Sequence, residues 1–329
     1  MHFFSRLPPL ALLAVALFGF VPLAPTASAL AASAPSATST SASPTAAPEP
    51  TAGQSLFGTD RYIEYRVGDL PLVITSPHGG HLKPDSIKNR TSGTLGGDLN
   101  TQELAFALAD AFFARTGHRL HLVASHLQRA KLDPNREIKE AAGGHPLAER
   151  TWSEYHAAIE RALAAAVARH GFAFLVDLHG HAHPIDRLEL GYALDAKQLQ
   201  PPDAAFDAAG LIAVSTLSDL HARLGGSAAQ LLRGPGSLGD LFAARGFRAT
   251  PSPREPQPGA GPFFAGGYTV RRHAGGPTPK VDGLQIECPR NGIRLTAADR
   301  TRFAAIAAEV LTLFIEAHYP YRFPAAPPK

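Results

Sequence analysis

From Tyr62 onward, short apolar runs alternate with longer stretches in which apolar residues recur every three or four positions, the signature of strands alternating with helices. Leu70 to Thr75 (LPLVIT) predicts a buried strand, Leu120 to Ala124 a second, Phe172 to Leu178 (FAFLVDL) a third and Leu284 to Glu287 a fourth. Between them, Leu104, Ala105, Leu108, Phe112 and Phe113 mark a helix that ends near Arg115 and is capped by Asn100 or Thr101. Ile159, Leu163 and Val167 give one face to a helix from Trp152 to His170, stopped by Gly171. Residues 198–262 are rich in Pro, Gly and Ala, with some helical periodicity from Leu217 to Leu232. Thr296 with Asp299 forms a capping box for a last helix ending near His318. This alternation implies an α/β domain with a largely parallel sheet, whose sites lie at the carboxyl ends of the strands.

The chain's 329 residues, 45% of them hydrophobic, can fill one large core without a disulfide. A net charge of +3 with scattered basic residues offers no stripe for a phosphate backbone, so nucleic acid is not expected as a partner. The single cysteine, Cys288, excludes a zinc site built of several thiolates; any metal must be held by histidine and carboxylate. Ahead of the folded part, Arg6, the apolar run Leu10 to Leu23 and Ala27-Ser28-Ala29 follow the order of a cleavable export signal. The run is shorter than the ~20 residues that span a bilayer. No stable membrane anchor is therefore expected after cleavage, and the location is periplasmic or secreted. Residues 30–56 are nearly all Ala, Ser, Thr and Pro and predict a disordered spacer. The expected layout is a signal peptide at 1–29, that linker at 30–56 and one catalytic domain at 57–329.

Placed on this scaffold, the polar residues gather at strand ends. His78 follows the first strand, Arg129 to Arg136 follow the second, Asp177 to His181 end the third and Glu287 ends the fourth. If the third strand continues, 177, 179 and 181 share one face. A buried strand that turns polar is costly unless those groups bind something. His78 and His179, with Asp133 and Asp177 able to orient their imidazoles, match the nitrogen and oxygen donors of a catalytic zinc. The third ligand is expected from Asp98, Glu103 or His81, with Asp98 preferred, although acid at a helix start also complements the macrodipole. The run RAKLDPNR (129–136) gathers three cations around Asp133, where two arginine forks could clamp a carboxylate or a tetrahedral oxyanion. Its alternative is a solvated turn. Glu287 reads as a general base if burial raises its pKa, or else as a surface ion pair with Arg290 or Arg294.

Five segments in order, SPHGG (76–80), DLNTQEL (98–104), RAKLDPNR (129–136), DLHGH (177–181) and FAGGYTVRRHAG followed by LQIE (264–287), resemble the N-formylglutamate amidohydrolase family. These are zinc hydrolases related to the carboxypeptidases and aspartoacylase. The resemblance implies a single three-layer α/β domain with a mostly parallel mixed sheet flanked by helices, zinc carboxypeptidase-like (phosphorylase/hydrolase-like). It also implies one zinc ion per chain and hydrolysis of the amide bond of a small N-acyl amino acid. Residue by residue, it implies that His78 and His179 hold zinc, Asp133 orients His78 and Arg129 polarises the scissile carbonyl. Asn135 and Arg136 would bind a substrate carboxylate, and Glu287 would take a proton from zinc-bound water. The late GGYT segment adds Tyr268 and Arg271 or Arg272 as substrate-binding candidates, whereas paired glycines alone signal a turn. One departure stands out: the related carboxypeptidases carry His-x-x-Glu, and here the third residue after His78 is His81. The rival readings are a periplasmic metallocarboxypeptidase or peptidoglycan amidase acting on short peptides, and a non-catalytic exported binding domain.

Overall fold

A computed structural model describes residues 50–276 and 278–326; the stretch expected as export signal and most of the expected spacer lie outside the described residues. The strands are β1 (Ser55–Phe57), β2 (Ile63–Arg66), β3 (Leu72–Ser76), β4 (His121–Ser125), β5 (Ala173–His181), β6 (Leu188–Gly191), β7 (Ala249–Thr250) and β8 (Val281–Pro289). They form one mixed sheet in the order β1-β2-β4-β3-β5-β8-β6-β7. The centre, β4-β3-β5-β8, is parallel, and β2 and β6 join it antiparallel on either side. The helices are α1 (Thr101–Thr116), α2 (Ile138–Ala142), α3 (Pro146–His170), α4 (Asp203–Ala208), α5 (Ser218–Leu224), α6 (Ala228–Arg233), α7 (Leu238–Ala243), α8 (Tyr268–His273) and α9 (Ala297–His318). Among the described residues, no helix is long and apolar enough to cross a membrane.

The three layers follow from alternation along the central strands. Leu72, Ile74, Phe174, Val176 and Leu178 point to one face, where Leu108 and Phe112 of α1 and Leu311 and Phe314 of α9 bury them. Val73, Ala173 and Leu175 point to the other, against Tyr155, Ile159 and Leu163 of α3. Truncating Phe112 or Phe174 to Ala would cost about 3–5 kcal/mol. On the α3 face, the apolar series Ala173, Leu175 gives way to Asp177, His179 and His181 as β5 reaches its carboxyl end. The site is built on that change.

Several expectations shift by a few residues, each for a local reason. Ser55 and Leu56 belong to the stretch expected as spacer, yet they pair with Arg66 and Tyr65 of β2. β5 outlasts its apolar run because β8 pairs with it in register as far as His181 opposite Pro289. α3 begins at Pro146, a residue suited to the first turn, and not at Trp152. The periodicity of 217–232 is two helices, α5 and α6, because Gly225 and Gly226 take φ of +68° and +79° between them. Asn100 precedes α1 in a left-handed conformation and makes no side-chain cap; its amide donates to the Arg294 carbonyl at 2.9 Å.

Candidate metal centre and its cavity

Three side chains delivered by three different segments meet above the ends of β3 and β5. His78 stands in the loop after β3, and the glycine beside it is needed there: a Cβ on Gly79 would collide with the backbone N of Gln102 at the start of α1. Asp98 comes in from the far end of the following loop. Its N–H donates to the His78 carbonyl at 3.1 Å, and its own carbonyl accepts from the Thr101 hydroxyl at 2.8 Å. His179 is on β5. The Nδ1 atoms of His78 and His179 lie 3.4 and 3.2 Å from the same atom, Asp98 Oδ2.

The opposite edge of each imidazole is held by a carboxylate. His78 Nε2 donates to Asp133 Oδ1 at 2.6 Å and His179 Nε2 to Asp177 Oδ2 at 2.9 Å. Both carboxylates are buried. Asp177 is steadied by the Thr75 hydroxyl from the neighbouring strand at 2.6 Å, and Asp133 by Arg129 Nε at 2.8 Å. In the neutral rings, a proton on each Nε2 leaves the Nδ1 lone pairs facing Asp98. His78 Nδ1 is buried with no hydrogen-bond partner, a costly state unless something occupies it.

The electrostatics agree with that geometry. Burial alone would raise the Asp98 carboxyl, but His78 and His179 beside it hold it well below the usual carboxylate range. Asp133 is likewise held low by His78 and Arg129 against its own burial. Burial would lower His179, yet Asp177 and Asp98 drive it well above the ordinary histidine value. This pocket stabilises positive charge among carboxylates, and a divalent cation on His78 Nδ1, His179 Nδ1 and Asp98 fits its donors and its unpartnered nitrogen.

A cavity of about 230 Å³ opens on the centre, walled by His78, Asp98, Arg129, Arg136, His179, Glu287 and the segment Phe264–Gly267 among others. Glu287, opposite His179 in the sheet register, is almost wholly buried. Burial pushes its pKa up to about 8, opposed by His179 and reinforced by Asp98 and Glu189. Its Oε1 accepts from Gln285 Nε2 at 2.9 Å, and its Oε2 is buried without a partner. The surface ion pair with Arg294 does not form: that guanidinium donates to the Cys288 and His181 carbonyls.

The other expected residues divide. Arg129 reaches the cavity and also lies 3.5 Å from Asp98 Oδ1. Arg136 is at the mouth, donating to the Asn135 carbonyl and lying 3.3 Å from Glu140. Asn135 lines the cavity, but its Oδ1 is occupied by the Thr269 N–H at 2.7 Å, and its Nδ2 lies 3.2 Å from His179 Nε2. With Asp177 accepting the Nε2 proton, that last contact is packing. Tyr268 and Arg271 are not brought to the cavity wall. Tyr268 turns outward to Glu137 and Arg272, and Arg271 to the Gly266 carbonyl, because α8 directs its apolar face into the sheet. Glu103 and His81, the alternatives to Asp98, pair with each other at an exposed position, 2.8 Å apart.

Sequence reasoning missed Gln285, Thr75 and Phe264. Gln285 was within reach, since it precedes Glu287 by two residues on one strand and must share its face. Thr75 needed the register that sets it opposite Asp177, and Phe264 needed the path of the loop.

The model of the N-formylglutamate amidohydrolase family matches residues 140–294, so the resemblance stands over a stretch that holds His179 and Glu287 and stops short of His78, Asp98 and Arg129. No curated protein matches the chain. Among solved structures it is similar to an N-formylglutamate amidohydrolase from Ralstonia eutropha, at 18% identity and TM-score 0.46, covering 75% of this chain and 97% of that one. A gene product of Agrobacterium tumefaciens gives 13% identity and TM-score 0.46, covering 78% and 94%. An N-acetylmuramyl-L-alanine amidase from Mycobacterium smegmatis gives 11% identity and TM-score 0.34, covering 75% and 97%.

Proposed function

We propose, from the match of residues 140–294 to the N-formylglutamate amidohydrolase family together with the centre above, that this chain is a metal-dependent amidohydrolase acting on a small N-acyl amino acid. The observation that carries the proposal is the convergence of two Nδ1 atoms on one carboxylate oxygen, each ring backed by a buried aspartate. His78, Asp98 and His179 would hold one zinc ion, a choice that rests on their nitrogen and oxygen donors. Bound there, it supplies Lewis acidity toward water and the scissile carbonyl.

The chain's own groups do the rest. Glu287 Oε2, the free oxygen of a carboxyl whose pKa lies near neutrality, accepts a proton from the attacking water and returns it to the leaving amine. Arg129 has five N–H donors, and those not facing Asp133 and Asp98 serve the developing oxyanion. Arg136 at the mouth binds the substrate carboxylate and orients the amide. The small cavity favours a monomeric substrate over a polymer. The chain is read as exported to the periplasm or medium, with its signal removed.

Purified protein assayed on N-formyl- and N-acetyl-amino acids, short peptides and muropeptides tests this directly. Turnover of the acylated amino acids, abolished by a chelator and restored by zinc, is the expected result. Preference for peptides or muropeptides would favour the carboxypeptidase or amidase reading, and metal binding without turnover of any of them would favour a binding domain.

A further inference from the structure

We infer that Gln285 is a positioning residue that fixes Glu287 through Oε1, assigns the transferred proton to Oε2, and ties the base to the cavity wall. The inference rests on the reading of Glu287 as proton acceptor and extends it to a residue outside the motif roles.

The amide of Gln285 is buried on β8, on the face it shares with Glu287. Its orientation follows from chemistry. A main-chain N–H can only donate, and the Gly267 N–H lies 2.7 Å from Gln285 Oε1. That end is therefore the oxygen, and the end facing Glu287 Oε1 at 2.9 Å is the NH2 group. Glu287 Oε1 must accept. A hydroxyl oxygen is a poorer acceptor than a carbonyl oxygen, so a proton on this carboxyl sits on Oε2, which has no protein partner.

Gly267 closes the segment Phe264–Gly267 that walls the cavity, and the strap 264–269 is pinned at three points. Phe264 N–H donates to Glu189 at 2.8 Å, Gly267 N–H to Gln285, and Thr269 N–H to Asn135. A Cβ on Gly267 would strike the Asn135 amide, so the strap also has no freedom to slide toward that side. Pressure of a substrate on the strap thus reaches the base through two hydrogen bonds. Loss of Gln285 both frees Glu287 to rotate and releases the middle of the strap.

Two variants separate these roles. Gln285→Glu keeps an oxygen for the Gly267 N–H but sets a second carboxyl against Glu287 in place of the neutral donor; Gln285→Met removes both contacts. With the N-acyl amino acid turned over fastest, both should retain metal and lose about tenfold or more in kcat, the scale of a misplaced base. KM should stay near the parent value in Gln285→Glu and rise in Gln285→Met. Amide exchange at Gly267 should be slow in the parent and in Gln285→Glu, and fast in Gln285→Met. Parent-like kcat in both variants, a kcat loss matched by lost metal, or equal Gly267 exchange in all three proteins overturns the inference. Glu287→Gln run alongside tells the two ideas apart. If it is inactive while the Gln285 variants behave as the parent, only the role of Gln285 falls. If it keeps full activity, the reading of Glu287 falls and this inference with it.

Discussion

Among the described residues, two groups of two histidines and one carboxylate bring their ligand atoms within 4.8 Å of one another: His78, Asp98 and His179, and His181, His183 and Glu189. They share strand β5 and differ in what their atoms lack. In the first, two aspartates fix the tautomers and His78 Nδ1 is left with nothing to bind. In the second, every ring nitrogen but one is matched from within the protein. His181 Nε2 donates to the Arg187 carbonyl, its Nδ1 accepts from the His183 N–H, and His183 Nδ1 donates to Glu189. Glu189 Oε2 takes the Phe264 N–H, and the Arg187 guanidinium already lies 3.9 Å from its Oε1. Closeness of ligand atoms therefore does not make a metal site. An unsatisfied lone pair with a carboxylate behind the ring is what favours the first group for the proposed metal. The second group is a brace for the strap over the cavity, with His183 stacked on Phe264 at 4.6 Å between ring centres.

The comparison can be broken most severely at Asp98. Asp98→Asn should abolish metal retention and lower turnover by on the order of a thousandfold or more, since a metal held there would supply most of the activation, while His183→Ala should keep its metal and most of its activity. Equal metal loss in both would erase the distinction. A smaller effect is expected behind the ring: Asp133→Asn should weaken metal binding about 10–100-fold, measured by competition with a chelator. At the brace, Glu189→Gln leaves one strap or histidine contact unmade in a buried place. Thermal unfolding should show a loss of about 1–3 kcal/mol with metal content unchanged.

A last effect concerns a hydrogen-bonded histidine and carboxylate outside both groups. Burial would raise Glu64, but His126, Arg66 and Ser55 hold it at about 2, down from 4.5. A depressed folded-state pKa contributes stability that is present above about 4.5 and is lost as pH falls toward about 2. Acid unfolding of Glu64→Gln should lack that component, and a chelator should leave the contribution of Glu64 at neutral pH unchanged.

How far the sequence carried depended on locality. The central strands and the long helices were legible because their apolar periods are strong, and His78, His179, Asp133, Asp177 and Glu287 because each sits next to such an element. Asp98 was preferred but not fixed, since the loop from 80 to 97 hides which of three candidates returns to His78. The backbone bond from Asp98 to the His78 carbonyl brings Asp98, of the three, beside that histidine. Tyr268 and Arg271 lie off the cavity wall, a placement a glycine-rich motif leaves open because it says nothing about which way the following helix turns its polar face. The short strands β1, β6 and β7 have too few residues to show a period, and Gln285 was passed over because its partner on one side is a loop N–H that no side-chain pattern reveals.

The central claim is that one divalent cation sits between His78, Asp98 and His179. Anomalous diffraction at the zinc edge, from crystals of protein purified without added metal, tests it most directly. The predicted result is one strong peak at about 2.0–2.2 Å from His78 Nδ1, His179 Nδ1 and an Asp98 oxygen. A peak at His183 and Glu189 instead, or none at the first group after zinc is supplied, would contradict the account.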